Sequence, residues 1–162
     1  MGIAFVEPTG SVGIYIANAT RDRRIVYQIG SEFLLRKTAL KMKKQVVIIE
    51  DDEAINDILS IMLRNSGYAV SSVRGVDSVD SLNSFNASLF LIDRNLPGID
   101  GITLCRQLKA SPETKAIPVI MISASTGFVQ LAISAGADAC IEKPFSRKEL
   151  FTTIDQHIGR TD

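Results

Sequence analysis

Short apolar runs alternate with amphipathic stretches along the chain from residue 45 onward. Five of these runs predict β-strands, at residues 46–51, 69–73, 88–92, 117–122 and 139–143. Four of the five are almost continuously apolar, which is typical of parallel strands whose two faces are both covered by helices. The pattern therefore predicts a parallel sheet at the centre of the domain.

Helical periodicity fills the intervals between these strands. The first helix is indicated by apolar residues with the spacing of one helical face: Ile55, Ile58, Leu59, Met62 and Leu63. Further helices are predicted near residues 76–82, 102–108 and 125–135, and a capping box of Ser146 and Glu149 begins a last helix that reaches about residue 158. Strand and helix thus alternate five times, which predicts an α/β fold with a doubly wound, five-stranded parallel sheet and helices on both faces.

The first 43 residues differ from the rest because they show no clear period. Residues 1–45 contain 8 Lys/Arg and 3 Asp/Glu, a net charge of +5, whereas residues 46–162 contain 10 and 15, a net charge of −5. Since Met42 could itself start the protein, residues 1–43 are interpreted as an extension that is either disordered or an artefact of an upstream start site. A docking or membrane-surface role is a third alternative. Residues 44–160 form the one predicted domain, and no output domain is expected.

The composition restricts the class of protein. Apolar residues make up 46% and charged residues 22% of the chain, as is typical of globular domains. No apolar run reaches the roughly 18 residues of a membrane-spanning helix, and Cys105 and Cys140 have no zinc-site or disulfide-framework spacing. We therefore expect a cytoplasmic protein without a membrane span. The charge of −5 on residues 46–162 also leads us to expect no direct DNA binding.

Polar side chains stand where four of the predicted strands end. They are Asp51 with Glu50 beside it, Asp93, Ser123 and Lys143. Because the carboxyl ends of parallel strands meet at one edge of a sheet, we expect these side chains to lie close together. Three neighbouring carboxylates repel one another unless a cation joins them. Since only oxygen ligands are on offer, the sequence predicts a hard divalent ion, Mg²⁺ first and Mn²⁺ as a substitute.

These motifs resemble those of the receiver domain of two-component response regulators. The resemblance covers about residues 44–160 and rests on residues 49–53, 93–101, 123–124 and 143–145, which read IEDDE, DRNLPGIDG, SA and KPF. It implies a stand-alone domain similar to the chemotaxis regulators, with the flavodoxin-like strand order 2-1-3-4-5. It also implies a cis peptide bond between Lys143 and Pro144.

In such a domain Asp93 would accept a phosphoryl group from the phosphohistidine of a sensor histidine kinase or phosphotransfer protein. The expected metal ligands are Asp51, Asp93, the backbone carbonyl of Asn95 and, through water, Glu50. Lys143 and the Ser123 hydroxyl would contact the phosphoryl oxygens. Movement of Ser123 toward the phosphoryl group would then carry the signal to the next loop and helix.

The chain departs from the family pattern at two places. Cys140 stands where receivers usually carry Tyr or Phe three residues before the lysine, so the aromatic side chain of the usual switch is absent. Residues 116–137 contain no charged residue. The helix at residues 126–135 is therefore either buried by its neighbours or exposes an apolar face to a downstream protein target or a second copy of the chain.

Three functions are compared. The sequence favours a phospho-acceptor response regulator that signals by protein–protein contact. The alternative is a degenerate receiver that acts as a phosphorylation-independent binding module, which the altered position Cys140 would favour. An enzyme is not expected, because an aspartyl phosphatase needs an acid two residues after its nucleophile and Asn95 occupies that position.

Overall fold

The computed structural model describes residues 3–6, 12–15, 43–76, 78–125 and 127–159. The chain divides into two compact units, Met1–Met42 and Lys43–Asp162. In the first unit, β1 (Ile3–Val6) pairs antiparallel with β2 (Val12–Tyr15). Apart from these strands and Lys43, the predicted extension lies outside the described residues, and its assignment stays a prediction.

The second unit alternates strands and helices. Its elements are β3 (Gln45–Ile49), α1 (Glu53–Asn65), β4 (Ala69–Val73), a 3₁₀-helix (Val79–Phe85), β5 (Leu89–Asp93), α2 (Gly101–Ala110), β6 (Val119–Ser123), α3 (Phe128–Ser134), β7 (Ala139–Glu142) and α4 (Arg147–Ile158). The five strands form one parallel sheet in the order β4-β3-β5-β6-β7, which is 2-1-3-4-5 when counted within this sheet. The predicted fold class is therefore confirmed.

The sheet is covered on both faces. In β3, β5 and β6 every residue except Gln45 is buried. Alternate strand residues point to opposite faces, so the core consists of two apolar clusters. Helices α1 and α4 pack on one face, while the 3₁₀-helix, α2 and α3 pack on the other. This arrangement explains the near-continuous apolar runs in the sequence.

Capping residues set several of the helix ends. The Asp52 carboxylate accepts a hydrogen bond from the backbone N–H of Ile55 at 3.0 Å and begins α1, and Gly67 with φ 91° follows its end. The Ser146 hydroxyl likewise accepts from the backbone N–H of Glu149 at 3.1 Å at the start of α4. The predicted cis bond before Pro144 is present.

Two helices differ from the prediction in length or type. The segment near residues 76–82 forms a 3₁₀-helix at Val79–Phe85, and the helix expected at 125–135 is limited to Phe128–Ser134. Gly127, with φ 80°, directly precedes α3 in the left-handed region and so cannot belong to the helix. Apolar periodicity alone does not detect such a backbone turn, so it extended the helix too far.

Helix α3 is apolar on both its buried and its exposed side. Phe128 and Ala132 are buried against the sheet, whereas Val129, Leu131 and Ile133 are 39%, 53% and 51% exposed. One side of the helix is therefore buried by its neighbours, and the other side exposes apolar side chains. Within the described ranges, no helix combines the length and apolar character needed to span a bilayer.

Candidate functional site

Three carboxylates meet at the carboxyl edge of the sheet, the edge at which the parallel strands end. Glu50, Asp51 and Asp93 each place a carboxylate oxygen within 4.8 Å of the others. The pairing of Ile49 with Ile92 in the neighbouring strands β3 and β5 explains this, because it brings the next residues of both strands level. Glu50 and Asp93 are only 3% and 6% exposed, whereas Asp51 is exposed. The predicted acidic cluster is therefore present.

Lys143 reaches this cluster from the end of β7. Its ammonium lies 3.0 Å from Glu50 Oε2 and 2.5 Å from Asp93 Oδ1. Burial by itself would lower the pKa of Lys143, but its hydrogen bonds to Asp93 and Glu50 outweigh burial and hold that pKa above its ordinary value. Lys143 is therefore a permanently charged partner of both carboxylates at neutral pH.

One ammonium does not balance three carboxylates. Burial raises the pKa of Glu50; the hydrogen bond from Lys143 opposes this shift, and the nearby charge of Asp93 reinforces it. With Asp51 beside them, the formal charge of the cluster is −2 when all four groups are ionised. The donor set consists of carboxylate oxygens, which is what Mg²⁺ and similar hard cations prefer. The residues present therefore fit a divalent metal ion.

The Asp93 carboxylate is held by two donors in one orientation. Its Oδ1 accepts from Lys143, and its Oδ2 accepts from the backbone N–H of Asn95 at 2.6 Å. The second bond folds the chain back immediately after β5. These two bonds and its burial restrict the rotation of the Asp93 carboxylate.

Ser123 ends β6, the strand next to β5. Its side chain is buried, and its Oγ accepts a hydrogen bond from the backbone N–H of Ser125 at 3.1 Å. Its backbone carbonyl accepts from the Lys143 N–H at 2.7 Å and so ties the ends of β6 and β7 together. The structure thus places Ser123 at the carboxyl edge, with its hydroxyl engaged in its own loop.

Comparison with known proteins identifies the class of domain. Residues 46–155 match the family model of the response regulator receiver domain. The chain belongs to this family. Receiver domains are signalling modules rather than classical enzymes, and the five-stranded sheet with its acidic carboxyl edge agrees with that assignment.

Solved receiver structures are similar over most of the described domain. A putative response regulator from Chloroflexus aurantiacus J-10-fl has a TM-score of 0.68 and 27% identity, and the match covers 73% of this chain and 99% of that protein. The receiver domain of sensor histidine kinase PA1611 from Pseudomonas aeruginosa PAO1 has a TM-score of 0.66 and 28% identity, with 72% and 98% covered. In that structure a magnesium ion is coordinated in the active-site cleft.

Curated relatives correct the prediction about partners. The DNA-binding response regulator MtrA of Mycolicibacterium paratuberculosis is 32% identical over 124 residues, which is 75% of this chain and 54% of that protein. That relative is named as a DNA-binding regulator, which contradicts the prediction that direct DNA binding is excluded. The charge argument considered residues 46–162 alone, and the charge of one domain does not determine what a longer protein binds. The chain spans about half the length of the curated relatives it matches.

The altered position Cys140 lies in β7 opposite Met121 and is half-buried. Burial raises the pKa of its thiol. Cys105 is fully buried on α2, and burial raises the pKa of that thiol to about 11. Both cysteines therefore belong to the apolar core of the receiver domain.

Two residues that contact the backbone of the site have no assigned role in the sequence analysis. Gly101 begins α2 directly against the end of β5, and a Cβ there would lie 2.4 Å from the backbone oxygen of Asp93. Only glycine allows that approach. Asn56 is buried on α1, and its side-chain amide donates to the backbone carbonyl of Glu50 at 2.9 Å. The glycine lies within a recognised motif, but the sequence offers no comparable signal for Asn56.

Proposed function

We propose that this receiver domain is a phospho-acceptor whose Asp93 takes a phosphoryl group from a histidine kinase or phosphotransfer protein. The observation that carries the proposal is the fixed, buried Asp93 carboxylate beside Lys143, within a cluster whose negative charge exceeds its positive charge. Such an arrangement favours binding of a cation and chemistry at the carboxylate over a purely structural ion pair.

In the proposed reaction an oxygen of Asp93 attacks the phosphorus of a phosphohistidine. The new bond is an acyl phosphate O–P bond, the P–N bond breaks, and the imidazole leaves with the electron pair and is protonated by solvent. Lys143 stays charged because its pKa is raised, so it can pair with the oxygens of the transferred group. The Asn95 N–H keeps the Asp93 carboxylate oriented during the attack.

Asp51, Asp93, the Asn95 carbonyl and, through water, Glu50 would hold Mg²⁺, with Mn²⁺ as a substitute. When bound, the ion supplies positive charge opposite the phosphoryl oxygens and relieves the repulsion among the three carboxylates. The magnesium in the PA1611 receiver domain supports this assignment.

The signal would leave the site through the Ser123 loop. The Ser123 hydroxyl would exchange its bond with the Ser125 N–H for one to a phosphoryl oxygen, and this exchange would shift the loop before α3. The message would then pass by protein–protein contact, in a protein that we propose is cytoplasmic. DNA binding is the output class that the names of the MtrA relatives suggest for the whole protein.

The test is incubation with acetyl phosphate and Mg²⁺ followed by intact-mass measurement. The wild-type protein should gain one phosphoryl group, Asp93→Asn should gain none, and Asp57→Asn should behave as the wild type because Asp57 is exposed on α1. A wild-type protein that forms no adduct would contradict the proposal. That result would favour the second candidate, a phosphorylation-independent binding module, to which the absence of an aromatic residue at Cys140 points.

A further inference from the structure

Asn56 is a polar residue on the face of α1 that covers the sheet. Its side chain is 3% exposed, and the helix buries Leu59 and Leu63 on the same side. A buried amide destabilises a fold unless its hydrogen-bonding groups are paired. The hydrogen-bond partners of the Asn56 amide therefore explain why an asparagine is tolerated at this position.

The amide joins the ends of two neighbouring strands. Its Nδ2 donates to the Glu50 carbonyl at 2.9 Å, and its Oδ1 accepts from the hydroxyl of Ser72 in β4 and, at 3.4 Å, from that of Ser60. Because a backbone carbonyl can only accept, the Nδ2 group must face Glu50, which fixes the orientation of the amide. Asn56 thus connects the Glu50–Asp51 peptide, which directly follows β3, to β4.

This connection acts on the peptide group that carries Asp51. The Glu50 carbonyl belongs to the rigid plane between Glu50 and Asp51, and the Glu50 N–H is held by the Val73 carbonyl at 3.2 Å. In the described part of the chain no hydrogen bond reaches the exposed Asp51 carboxylate. No side-chain bond holds Asp51 there, so its Cα–Cβ direction, which is set by the backbone that Asn56 holds, decides where the carboxylate can reach.

We propose that Asn56 is a positioning residue for the metal site, which holds the Glu50–Asp51 peptide so that the Asp51 carboxylate points into the acidic cluster. The inference rests on the proposed function, since it takes Asp51 as a direct ligand of Mg²⁺. It adds a residue that makes no contact with the ion itself. Groups that orient metal ligands in this way affect metal affinity strongly although they never touch the metal.

The test is a Mg²⁺ titration of the wild type and two variants. Binding is monitored through the NMR shifts of the backbone amides of Glu50, Asp51 and Asp93. Asn56→Leu keeps the branched shape and the number of side-chain heavy atoms but has no hydrogen-bonding group. Thr114→Val is the matched control, because the buried Thr114 hydroxyl also donates to a backbone carbonyl, that of Leu108 at 2.7 Å, at the edge of the sheet where strands begin. We expect Asn56→Leu to bind Mg²⁺ about 10-fold more weakly and Thr114→Val to bind it as the wild type does.

The outcomes separate a failure of the inference from a failure of the proposed metal site. Equal Mg²⁺ affinity of Asn56→Leu and the wild type overturns the inference and leaves the metal site intact. Equal weakening in Thr114→Val also overturns it, because the loss would then follow from general destabilisation. A wild-type protein that does not bind Mg²⁺ overturns the proposed metal site and the inference with it. If Asn56→Leu does not fold, Asn56→Ser decides in the same way, since its shorter side chain cannot join Glu50 to Ser72.

Discussion

Two lysine–carboxylate contacts lie at opposite edges of the sheet of this receiver domain. At the carboxyl edge, Lys143 faces Glu50 and Asp93. At the amino edge, where the strands begin, the ammonium of Lys109 lies 2.7 Å from the carboxylate of Asp138. Both contacts join a helix or loop to the sheet, and they differ in how their charges and hydrogen bonds are balanced.

The charges of the contact at the amino edge are balanced, and both groups also have hydrogen bonds to the backbone. One positive charge faces one negative charge, the Asp138 carboxylate also accepts from the Val119 N–H at 2.7 Å, and the Lys109 ammonium donates to the Ile117 carbonyl at 2.8 Å. These bonds tie α2 to the segments that begin β6 and β7. A set of groups balanced in this way stabilises the fold and has no electrostatic reason to bind an ion.

The contact at the carboxyl edge is unbalanced. Lys143 faces two buried carboxylates with the exposed Asp51 close by, and burial together with the charge of Asp93 raises the pKa of Glu50 despite the opposing lysine. The two contacts differ in their balance of charge, and the surplus of negative charge at the carboxyl edge is the feature that the proposed metal site requires. Three substitutions test this difference through the free energy of unfolding with and without Mg²⁺.

Lys143→Met should have the largest effect. The substitution leaves Glu50 and Asp93 buried without a cation, and since Lys143 is partly exposed we expect a loss of about 2 kcal/mol in Mg²⁺-free buffer. Mg²⁺ should restore much of this loss, because the ion supplies positive charge to the same carboxylates. Urea unfolding at several Mg²⁺ concentrations measures both quantities. If Mg²⁺ changed the free energy of unfolding of neither the wild type nor Lys143→Met, the ion would not bind among these carboxylates.

Lys109→Met is the matched substitution at the amino edge. Asp138 keeps its bond from the Val119 N–H and remains partly exposed, so we expect a smaller loss of about 1 kcal/mol. The same urea experiment should show no dependence of this loss on Mg²⁺. If Mg²⁺ stabilised Lys109→Met more than the wild type, the amino edge would also bind the ion, and the comparison between the two edges would be wrong.

The sequence predicts this receiver domain well where local pattern decides the structure. The parallel sheet and the meeting of Asp51, Asp93 and Lys143 follow from apolar runs that end in polar residues, because parallel strands place all those ends at one edge. The order of the strands within the sheet was implied by the resemblance to receiver domains and not by the pattern. The cap at Ser146 is equally predictable, since a helix N-terminus needs a nearby acceptor for its free N–H groups. The cap at Asp52 is known from the structure alone.

The rest depends on contacts between distant residues. A lone Asn56 in a helical pattern resembles a surface residue, and its burial becomes apparent only with Ser72 of a neighbouring strand. The Lys109–Asp138 contact belongs to no motif and arises because α2 and β7 meet in the fold. The partner prediction failed for a similar reason, since the charge of residues 46–162 describes one domain and the MtrA relatives are longer proteins.

Asp51→Asn should have the smallest effect on the fold and still remove the response to Mg²⁺. Asp51 is exposed and accepts no hydrogen bond in the described ranges, so its substitution should change the free energy of unfolding by less than about 0.5 kcal/mol without Mg²⁺. The stabilisation that Mg²⁺ gives the wild type should nevertheless be lost, because one negatively charged ligand is missing. Asp52→Asn, which keeps a capping oxygen on the adjacent residue, should retain that stabilisation. If Mg²⁺ stabilised Asp51→Asn as much as the wild type, the ion would not need the third carboxylate, and surplus charge would not explain the difference between the edges.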